Sequence, residues 1–399
     1  MTTGQARDEA GRLGVFGSLC LMVFLVNFGR VVFAPLLDPF IRIFGVGEAT
    51  AGLVATLAWF GSAVPRLPTG YLLTRIRRHR VVLATGLLLA VSAGLTALAD
   101  SILTIGLGAF LIGTSSGAYF IAANPLVSEL FPDRVGRVIG VHGMAAQLAA
   151  VVAPLSIGAI LLVSSWRVAF VALSGVALVA TGALYIAAQR TDLPDVGTRD
   201  RHLRRSVRNQ WPIVLTAVAV VGATGFVWNG FFNFFVRYLT TAKDVDFQVA
   251  QTLLTVIFAA GVPAFFLTGR LADRVRHVSL MLAILGTFVI SLLAMTLVRG
   301  LPGIIVVAVG MGYVIHSMFP AVDTYLLDSL PDADRSSAYS AYSATMMLIQ
   351  AGASLVVGAL VQRGLPFDLV YRGFAVVLLV VFLVLAALFV TGRLPDTAR

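Results

Sequence analysis

The feature that most constrains this chain is a short turn that occurs twice, 199 residues apart. The first copy covers residues 70–80, GYLLTRIRRHR, and the second covers residues 269–277, GRLADRVRH. In both copies an apolar run ends near a glycine, a basic turn follows, and a new apolar run begins. The same offset pairs Gly113 with Gly312. The 399-residue chain is therefore a duplication of one unit of half its length.

Composition indicates the solvent in which these units fold. Hydrophobic residues make up 58% of the chain and charged residues 12%, against roughly 45–50% and about 25% in soluble domains. That excess of apolar surface favours a lipid bilayer as the surroundings. The net charge of +10 lies in short loops between apolar runs, which favours a membrane protein over a nucleic-acid-binding one. The single cysteine, Cys20, excludes an intrachain disulfide and a cysteine metal cluster.

The apolar runs predict the fold class. Runs of about 20 apolar residues are typical of spanning helices, and the chain contains twelve. We predict an all-α membrane protein with twelve transmembrane helices in two pseudo-symmetric six-helix bundles, residues 1–192 and 212–399. Residues 193–211 form a charged cytoplasmic linker without a hydrophobic face. The predicted helices cover 13–37, 51–73, 81–99, 102–128, 138–163, 168–188, 212–236, 247–269, 278–298, 301–327, 337–361 and 373–392.

The distribution of basic residues predicts the orientation. With both termini in the cytoplasm, twenty of the 29 Arg and Lys residues fall on the cytoplasmic side and seven outside. Two remain, Arg30 and Arg66, and both lie within predicted spans. We therefore expect a multi-pass protein of the plasma membrane with cytoplasmic N- and C-termini. Residues 1–12 are too polar for a signal peptide, so we expect no cleavage there.

Two six-helix halves, a central linker and the repeated turn resemble the major facilitator superfamily of transporters. The resemblance covers essentially the whole chain, and it extends to FPDR at 131–134 and WR at 166–167. It implies alternating access, in which the halves rock around a central cavity lined by helices 1, 4, 7 and 10. We accordingly expect a monomer in the bilayer with a small-molecule substrate, no cofactor, no metal and no nucleic acid.

The resemblance also implies a role for the repeated turn as a cytoplasmic latch in the outward-open state. In the family, the aspartate of this turn sits near the start of the fifth or eleventh helix. The candidate gating residues are Gly70, Arg75 and Arg78 in the first copy, and Gly269, Asp273 and Arg274 in the second. Thr74 stands where the family has an aspartate, so the sequence keeps one half of the latch. The alternative is a basic loop that obeys only the positive-inside rule.

Arg30 is the most informative single residue. The preceding run 13–29 contains no charge, and an arginine inside a span costs roughly 2.5–3.5 kcal/mol or more, which indicates a functional site. Asn27 lies on the same helical face, and the position equivalent to Arg30 in the second repeat is Asn229. Arg30 could clamp a carboxylate, phosphate or similar oxyanion in a bidentate pair. Alternatively it snorkels outward or pairs with Asp38, two turns away.

Further polar and aromatic residues predict a substrate site on several helices. A polar stripe on a membrane helix must face protein or water, although hydrogen bonding between helices would produce the same stripe. The candidates besides Asn27 and Arg30 are Tyr119, Gln147, Trp228, Asn229, Asn233, His316, Tyr342 and Gln350.

Proton coupling requires a group that titrates in the pathway. The candidates are Asp323 and His316, which lie seven residues apart on one face of predicted helix 10. A uniporter would need neither.

Arg66 has two interpretations, since it either snorkels at the cytoplasmic end or binds an anion. The stretch PRLPTG at 65–70 resembles the R-x-P-x-G stretch of the nitrate/nitrite branch. That branch has a second arginine where this chain has Phe265, and a helix 5 signature where this chain has GMAAQ at 143–147. Nitrate is therefore disfavoured as the substrate.

The sequence as a whole predicts a secondary active transporter. It would move a small polar or anionic organic solute by alternating access, coupled to protons. One alternative is a proton-coupled exporter of amphipathic drugs, favoured by the phenylalanines of helix 7 and by Ala153, Pro154 and Gly158. Another is a non-transporting membrane sensor or lipid-handling protein. An enzyme is not expected, because no phosphate loop, paired Cys/His spacing or Ser/His/Asp set is apparent.

Overall fold

A computed structural model describes residues 3–194, 203–272 and 274–394, and these residues fold into helices without a strand. Twelve helices follow the order of the predicted spans. α1 comprises Thr3–Val31 and Phe33–Phe44, α2 Glu48–Ala63 and Arg66–Leu72, α3 Arg78–Ala97, α4 Ile102–Leu130, α5 Val135–Val163 and α6 Arg167–Gln189. α7 covers Leu203–Ala242, α8 Phe247–Ala272, α9 His277–Leu297, α10 Leu301–Ser329, α11 Asp332–Ala351 and Ala353–Gln362, and α12 Phe367–Val390.

Within the described residues, eleven of these helices are long and apolar enough, as continuous helices, to cross a membrane. The exception is α2, which is interrupted at residues 64 and 65. Pro65 has no N–H and cannot donate to the carbonyl of Gly61, so the helix breaks where the sequence predicts one continuous span. The expected all-helical architecture is confirmed.

Most helices extend slightly beyond the predicted spans, and two of them, α1 and α7, extend furthest. α1 continues to Phe44, seven residues past its predicted end. α7 begins at Leu203, inside the stretch predicted as linker, and has a non-helical residue at Gln210, just before Pro212. The apolar pattern therefore underestimates helices whose ends carry polar residues.

Contacts divide the chain into two compact units. Unit 1 holds Met1–Leu36 and Leu57–Asp200, and unit 2 holds Leu37–Thr56 and Arg201–Arg399, as far as these residues are described. In unit 1, α3 packs on α4 and α6, and α1 packs on α4, α5 and α6. In unit 2, α8 packs on α10, α7 on α11, and α9 on α10 and α12. The predicted bundle boundaries remain a prediction.

One close helix crossing occurs at equivalent positions in both units. In unit 1, a Cβ at Gly113 would overlap the Ala58 carbonyl, and in unit 2 a Cβ at Gly312 would overlap the Ile257 carbonyl. The offset of 199 relates Gly113 to Gly312 and Ala58 to Ile257. The glycines let α4 approach α2, and α10 approach α8, at backbone distance.

A repeated contact between a basic and an acidic side chain follows the same offset. Arg78 binds Glu129 at 3.0 Å in unit 1, and His277 lies 3.2 Å from Asp328 in unit 2. Each pair joins the start of α3 or α9 to the end of α4 or α10. The duplication inferred from the sequence is thus visible as two equivalent sets of contacts.

Candidate functional site

The Arg30 side chain lies in the interior of unit 1 and is 9% exposed. One terminal nitrogen donates to Asn27 Oδ1 at 2.6 Å, and the other lies 3.4 Å from Ser62 Oγ. Asn27 in turn donates through Nδ2 to the Ala146 carbonyl at 2.6 Å. Because Asn27 is three residues before Arg30 on one helix, the helical spacing itself aims the amide at the guanidinium. Arg30 is therefore held in place by neutral groups.

Aromatic rings complete the surroundings of the Arg30 guanidinium. Its carbon lies 4.3 Å from the centre of the Trp59 ring and 5.8 Å from that of Phe120. A cation over an aromatic face is stabilised by the ring quadrupole, most strongly over tryptophan. Arg66 approaches the same place, because its Nε donates to the Ser62 carbonyl at 3.2 Å. Two arginines thus share Ser62 as a partner.

The charge of Arg30 has no counterpart in the part of the chain that the structure describes. Arg30 forms no ion pair with any described carboxylate, and its Nε has no hydrogen-bond partner there. A buried cation without an anion is costly. The arrangement can accept an oxyanion, which would supply both the missing charge and an acceptor for Nε.

The other unit 1 candidates take different positions. The Tyr119 hydroxyl donates to the Leu19 carbonyl at 2.6 Å and lies 3.0 Å from His142 Nε2. Its ring is stacked on that histidine, so Tyr119 belongs to a fully buried pair, whereas its neighbour Phe120 faces Arg30. Gln147 is half-buried on α5, next to the residue whose carbonyl binds Asn27.

The first group of unit 2 candidates is a chain of amides. Asn233 donates through Nδ2 to the Asn229 carbonyl at 2.9 Å and to its side-chain oxygen at 3.1 Å. Ser354 Oγ donates to the same Asn229 oxygen at 3.2 Å, and Gln350 Nε2 donates to the Val221 carbonyl at 3.3 Å. Asn229 is buried, and its Nδ2 has no partner among the described residues. It is a second polar group with unused bonding capacity.

The second group surrounds His316 with aromatic rings. Its Nδ1 lies 2.7 Å from the Gly312 carbonyl, a geometry in which Nδ1 carries the proton. Trp228 is one of four rings with centres 5.6 to 6.5 Å from that of the imidazole; the others are Phe258, Phe265 and Phe319. The phenylalanines of α7 that suggested a drug-binding wall are largely buried: Phe231, Phe232, Phe234 and Phe235. These rings act mainly as packing.

The third group is built around Asp323. The Tyr339 hydroxyl donates to Asp323 Oδ1 at 2.9 Å, and the rings of Tyr339 and Tyr342 lie 5.7 Å apart. Tyr342 points its hydroxyl at Met346 Sδ, 3.9 Å away. Within the described residues Asp323 has no basic partner. His316 and Asp323 therefore have separate sets of neighbours although they share one helix.

The repeated turn has distinct contacts in unit 1. Gly70 lies in the last turn of α2, and Arg75 donates to the Tyr71 hydroxyl at 2.6 Å. Arg78 forms an ion pair with Glu129. In the second copy, Gly269 is in α8, Arg274 is exposed, and Asp273 lies outside the described residues. The gating role of these six residues remains a prediction.

Sequence reasoning missed three residues around Arg30, namely Trp59, Ser62 and Phe120. Trp59, Ser62 and Arg66 are spaced by three and four residues, so they lie on one face of α2. This spacing, which ends at the charged Arg66, could have identified Trp59 and Ser62 as candidates. Phe120 had none, because only packing distinguishes its face of α4 from that of Tyr119.

Comparison with known proteins agrees with this architecture. A sequence profile described as the Major Facilitator Superfamily matches residues 19–315 and 220–399. The probable sulfoacetate transporter SauU of Cupriavidus necator is 24% identical over 284 residues, which cover 65% of this chain and 65% of that relative. The chain thus matches slightly less than two thirds of the length of this relative.

Solved structures share the fold. A bacterial homologue of the human lysosomal transporter Spinster, inward-facing and occupied, has a TM-score of 0.78 at 16% identity and covers 95% of this chain and 96% of its own. The nucleoside transporter NupG has a TM-score of 0.76 at 10% identity, with 93% and 99% covered. At such identities the likeness concerns the fold alone. The family profile, however, spans more than half of the sequence, and the chain therefore belongs to the Major Facilitator Superfamily.

Proposed function

We propose that this protein is a secondary active transporter of a small organic anion, working by alternating access. The observation that carries the proposal is Arg30, a buried cation held by Asn27, Ser62 and Trp59 and without an ion pair among the described residues. Its neutral partners fix the guanidinium but leave its charge uncompensated. A bound anion would compensate this charge and supply an acceptor for Nε.

The likeness to a probable sulfoacetate transporter supports a substrate of this charge. Sulfoacetate carries a tripodal sulfonate and a planar carboxylate. Either oxyanion can accept two hydrogen bonds from one guanidinium. Short organic acids with a sulfonate or a second carboxylate are therefore the first substrates to test.

The direct test measures uptake of labelled sulfoacetate and short dicarboxylates into proteoliposomes. The Arg30→Ala variant removes charge-assisted bonds worth about 1.5–3 kcal/mol each, so transport at low substrate concentration should fall about 100-fold. Arg30→Lys keeps the charge but loses the fork, and it should retain intermediate transport.

The matched control is Arg363→Ala, which removes an exposed arginine from the end of α11. It should transport like the unmodified protein. Unchanged uptake by a folded Arg30→Ala variant would show that Arg30 does not bind the substrate. Absence of uptake for every organic anion, with uptake of neutral or cationic solutes instead, would contradict the substrate class.

We further propose that Asp323 couples transport to protons. It is a carboxylate in α10 that is bonded to the Tyr339 hydroxyl and has no basic partner among the described residues. A charged carboxylate inside a span is costly, so protonation would accompany a change in its surroundings. Asp323→Asn should lose accumulation driven by a pH gradient but keep exchange of substrate for substrate.

The control for this experiment is Asp100→Asn, at a carboxylate whose side chain is 95% exposed. Accumulation by Asp323→Asn at the level of this control would exclude Asp323 as the coupling group. The His316→Gln variant, tested in the same assay, separates the two candidates on α10.

A further inference from the structure

A cavity of about 630 Å³ lies in unit 1 at the turn between α2 and α3. It is distinct from the Arg30 cluster, because none of the side chains that hold Arg30 lines it. Its walls are of two kinds. Three arginines stand at one end, and apolar side chains with two threonines form the rest. The arginines are Arg75, Arg77 and Arg80, and the apolar residues include Leu72, Ile76, Val81, Ala84 and Leu88.

The basic end of this cavity is exposed. All three arginines are exposed, and no carboxylate among the described residues lines the cavity. Arg75 and Arg80 form no ion pair with any described residue. Glu129, a carboxylate near this turn, is bound to Arg78 at 3.0 Å. The described lining of the cavity therefore carries a net positive charge.

The apolar end continues onto the outer face of α3. Beyond Ala84 and Leu88, the exposed side chains along this helix are Leu87, Val91 and Leu95, each more than half exposed. Their spacing of four residues places them in one stripe. In a membrane helix such a stripe faces acyl chains. A ligand with an anionic head and a long apolar tail would match the cavity and the stripe together.

We propose that this cavity is a binding site for an anionic phospholipid. The phosphate lies among the guanidiniums of Arg75, Arg77 and Arg80, and one acyl chain follows Ala84 and Leu88 onto the outer face of α3. The start of α3 favours the same charge, because its N-cap residue makes no side-chain capping bond and helix N-termini attract phosphate. Basic pockets between spanning helices at a membrane surface bind anionic head groups.

Native mass spectrometry of the full chain in detergent, titrated with phosphatidylglycerol or phosphatidylcholine, tests this proposal. We expect one saturable phosphatidylglycerol molecule per protein and weaker phosphatidylcholine binding. The triple variant Arg75→Gln, Arg77→Gln, Arg80→Gln should bind phosphatidylglycerol about 100-fold more weakly, since each basic residue near a head group contributes about fivefold. The variant with Arg190→Gln, Arg205→Gln and Arg208→Gln removes as much charge elsewhere and should bind as the original does.

A second variant separates the tail from the head group. Ala84→Trp fills the apolar end without changing the charge, and it should weaken phosphatidylglycerol binding at least tenfold. Equal binding by the arginine triple variant and its control would overturn the proposal. So would unaltered binding by Ala84→Trp, or displacement of the lipid by millimolar inorganic phosphate, because either result means that only the anionic group is recognised. Should the triple variant fail to fold, Ala84→Trp and Arg80→Gln alone decide the question.

Discussion

Arg237 in unit 2 holds two carboxylates at once. One terminal nitrogen donates to Asp38 Oδ1 and the other to Glu48 Oε1, both at 2.9 Å. Arg42 binds the second oxygen of Asp38 at 2.9 Å, one turn along the helix. The Asp38 side chain is only 2% exposed, whereas that of Arg42 is 59% exposed. Arg237 is therefore the partner that makes burial of Asp38 tolerable.

We predict that Arg237→Ala destabilises the protein much more than Arg42→Ala does. Removing one partner of a buried ion pair costs about 3–5 kcal/mol. The pair with the exposed Arg42 is of the surface kind, worth about 0–1 kcal/mol. Thermal unfolding of both variants in detergent measures the difference. Equal melting temperatures for the two variants would show that Arg237 does not neutralise Asp38 in solution.

The Arg30 cluster shows how far the sequence could predict a site. Arg30 was recognisable because a charge interrupts an apolar run, and Asn27 followed from helical spacing. Trp59 and Ser62 are ordinary residues of an apolar helix, and only the packing of α2 on α1 selects them. The predicted first span ends at residue 37, just before Asp38, yet α1 continues to Phe44 and Asp38 is buried. Long-range partners are set by tertiary packing, which local patterns do not encode.

At the scale of helices, the two glycine crossings restrict the residue type at one position in each crossing. Gly312 packs on the Ile257 carbonyl and Gly113 on the Ala58 carbonyl, so a methyl group at either glycine would meet rigid backbone. By contrast, nothing lies within 4 Å of a Cβ built at Gly175 in α6.

We predict that Gly312→Ala and Gly113→Ala lower the melting temperature, whereas Gly175→Ala leaves it unchanged or raises it. Overpacking costs about 1–3 kcal/mol, while replacing an unpacked helical glycine by alanine gains about 0.5–1 kcal/mol. Circular dichroism during heating compares the three variants. A loss of stability for Gly175→Ala equal to that of Gly312→Ala would argue against these close crossings.

Some features of the helices can be predicted from the sequence and others cannot. Their order and approximate spans follow from the apolar runs, because a bilayer requires long apolar segments. The break in α2 at Pro65 could have been foreseen from the proline, and the interruption of α11 at residue 352 falls at a glycine. The helical start of α7 at Leu203 could not, since its polar residues resemble those of a linker.

For the whole molecule, the offset of 199 proved the most far-reaching sequence observation. It relates the Arg78–Glu129 pair to the His277–Asp328 pair, and the Ala58–Gly113 crossing to that of Ile257 and Gly312. It does not account for the grouping of residues 37–56 with unit 2. Arg237, which binds Asp38 and Glu48, and the close approach of Gly52 to the Ser354 carbonyl join these residues to the rest of unit 2.

The orientation of the whole chain in the membrane can be tested on the same repeat. Positive residues concentrate in the segments predicted to be cytoplasmic, and the resulting topology places Arg77 and Arg190 inside, and Asp100 and Arg299 outside. All four are exposed, so a cysteine introduced at each would be reachable.

In a Cys20→Ser background, we predict that Asp100→Cys and Arg299→Cys react with an impermeant maleimide on intact cells. Arg77→Cys and Arg190→Cys should react only after permeabilisation. The expectation rests on the preference of basic residues for the cytoplasmic side, which counts short loops most heavily. The reverse labelling pattern would invert the topology and move the lipid site of the first turn to the outer leaflet. Labelling of Asp100→Cys and Arg299→Cys from opposite sides would mean that the two repeats have opposite orientations, which an even number of spans in each repeat does not allow.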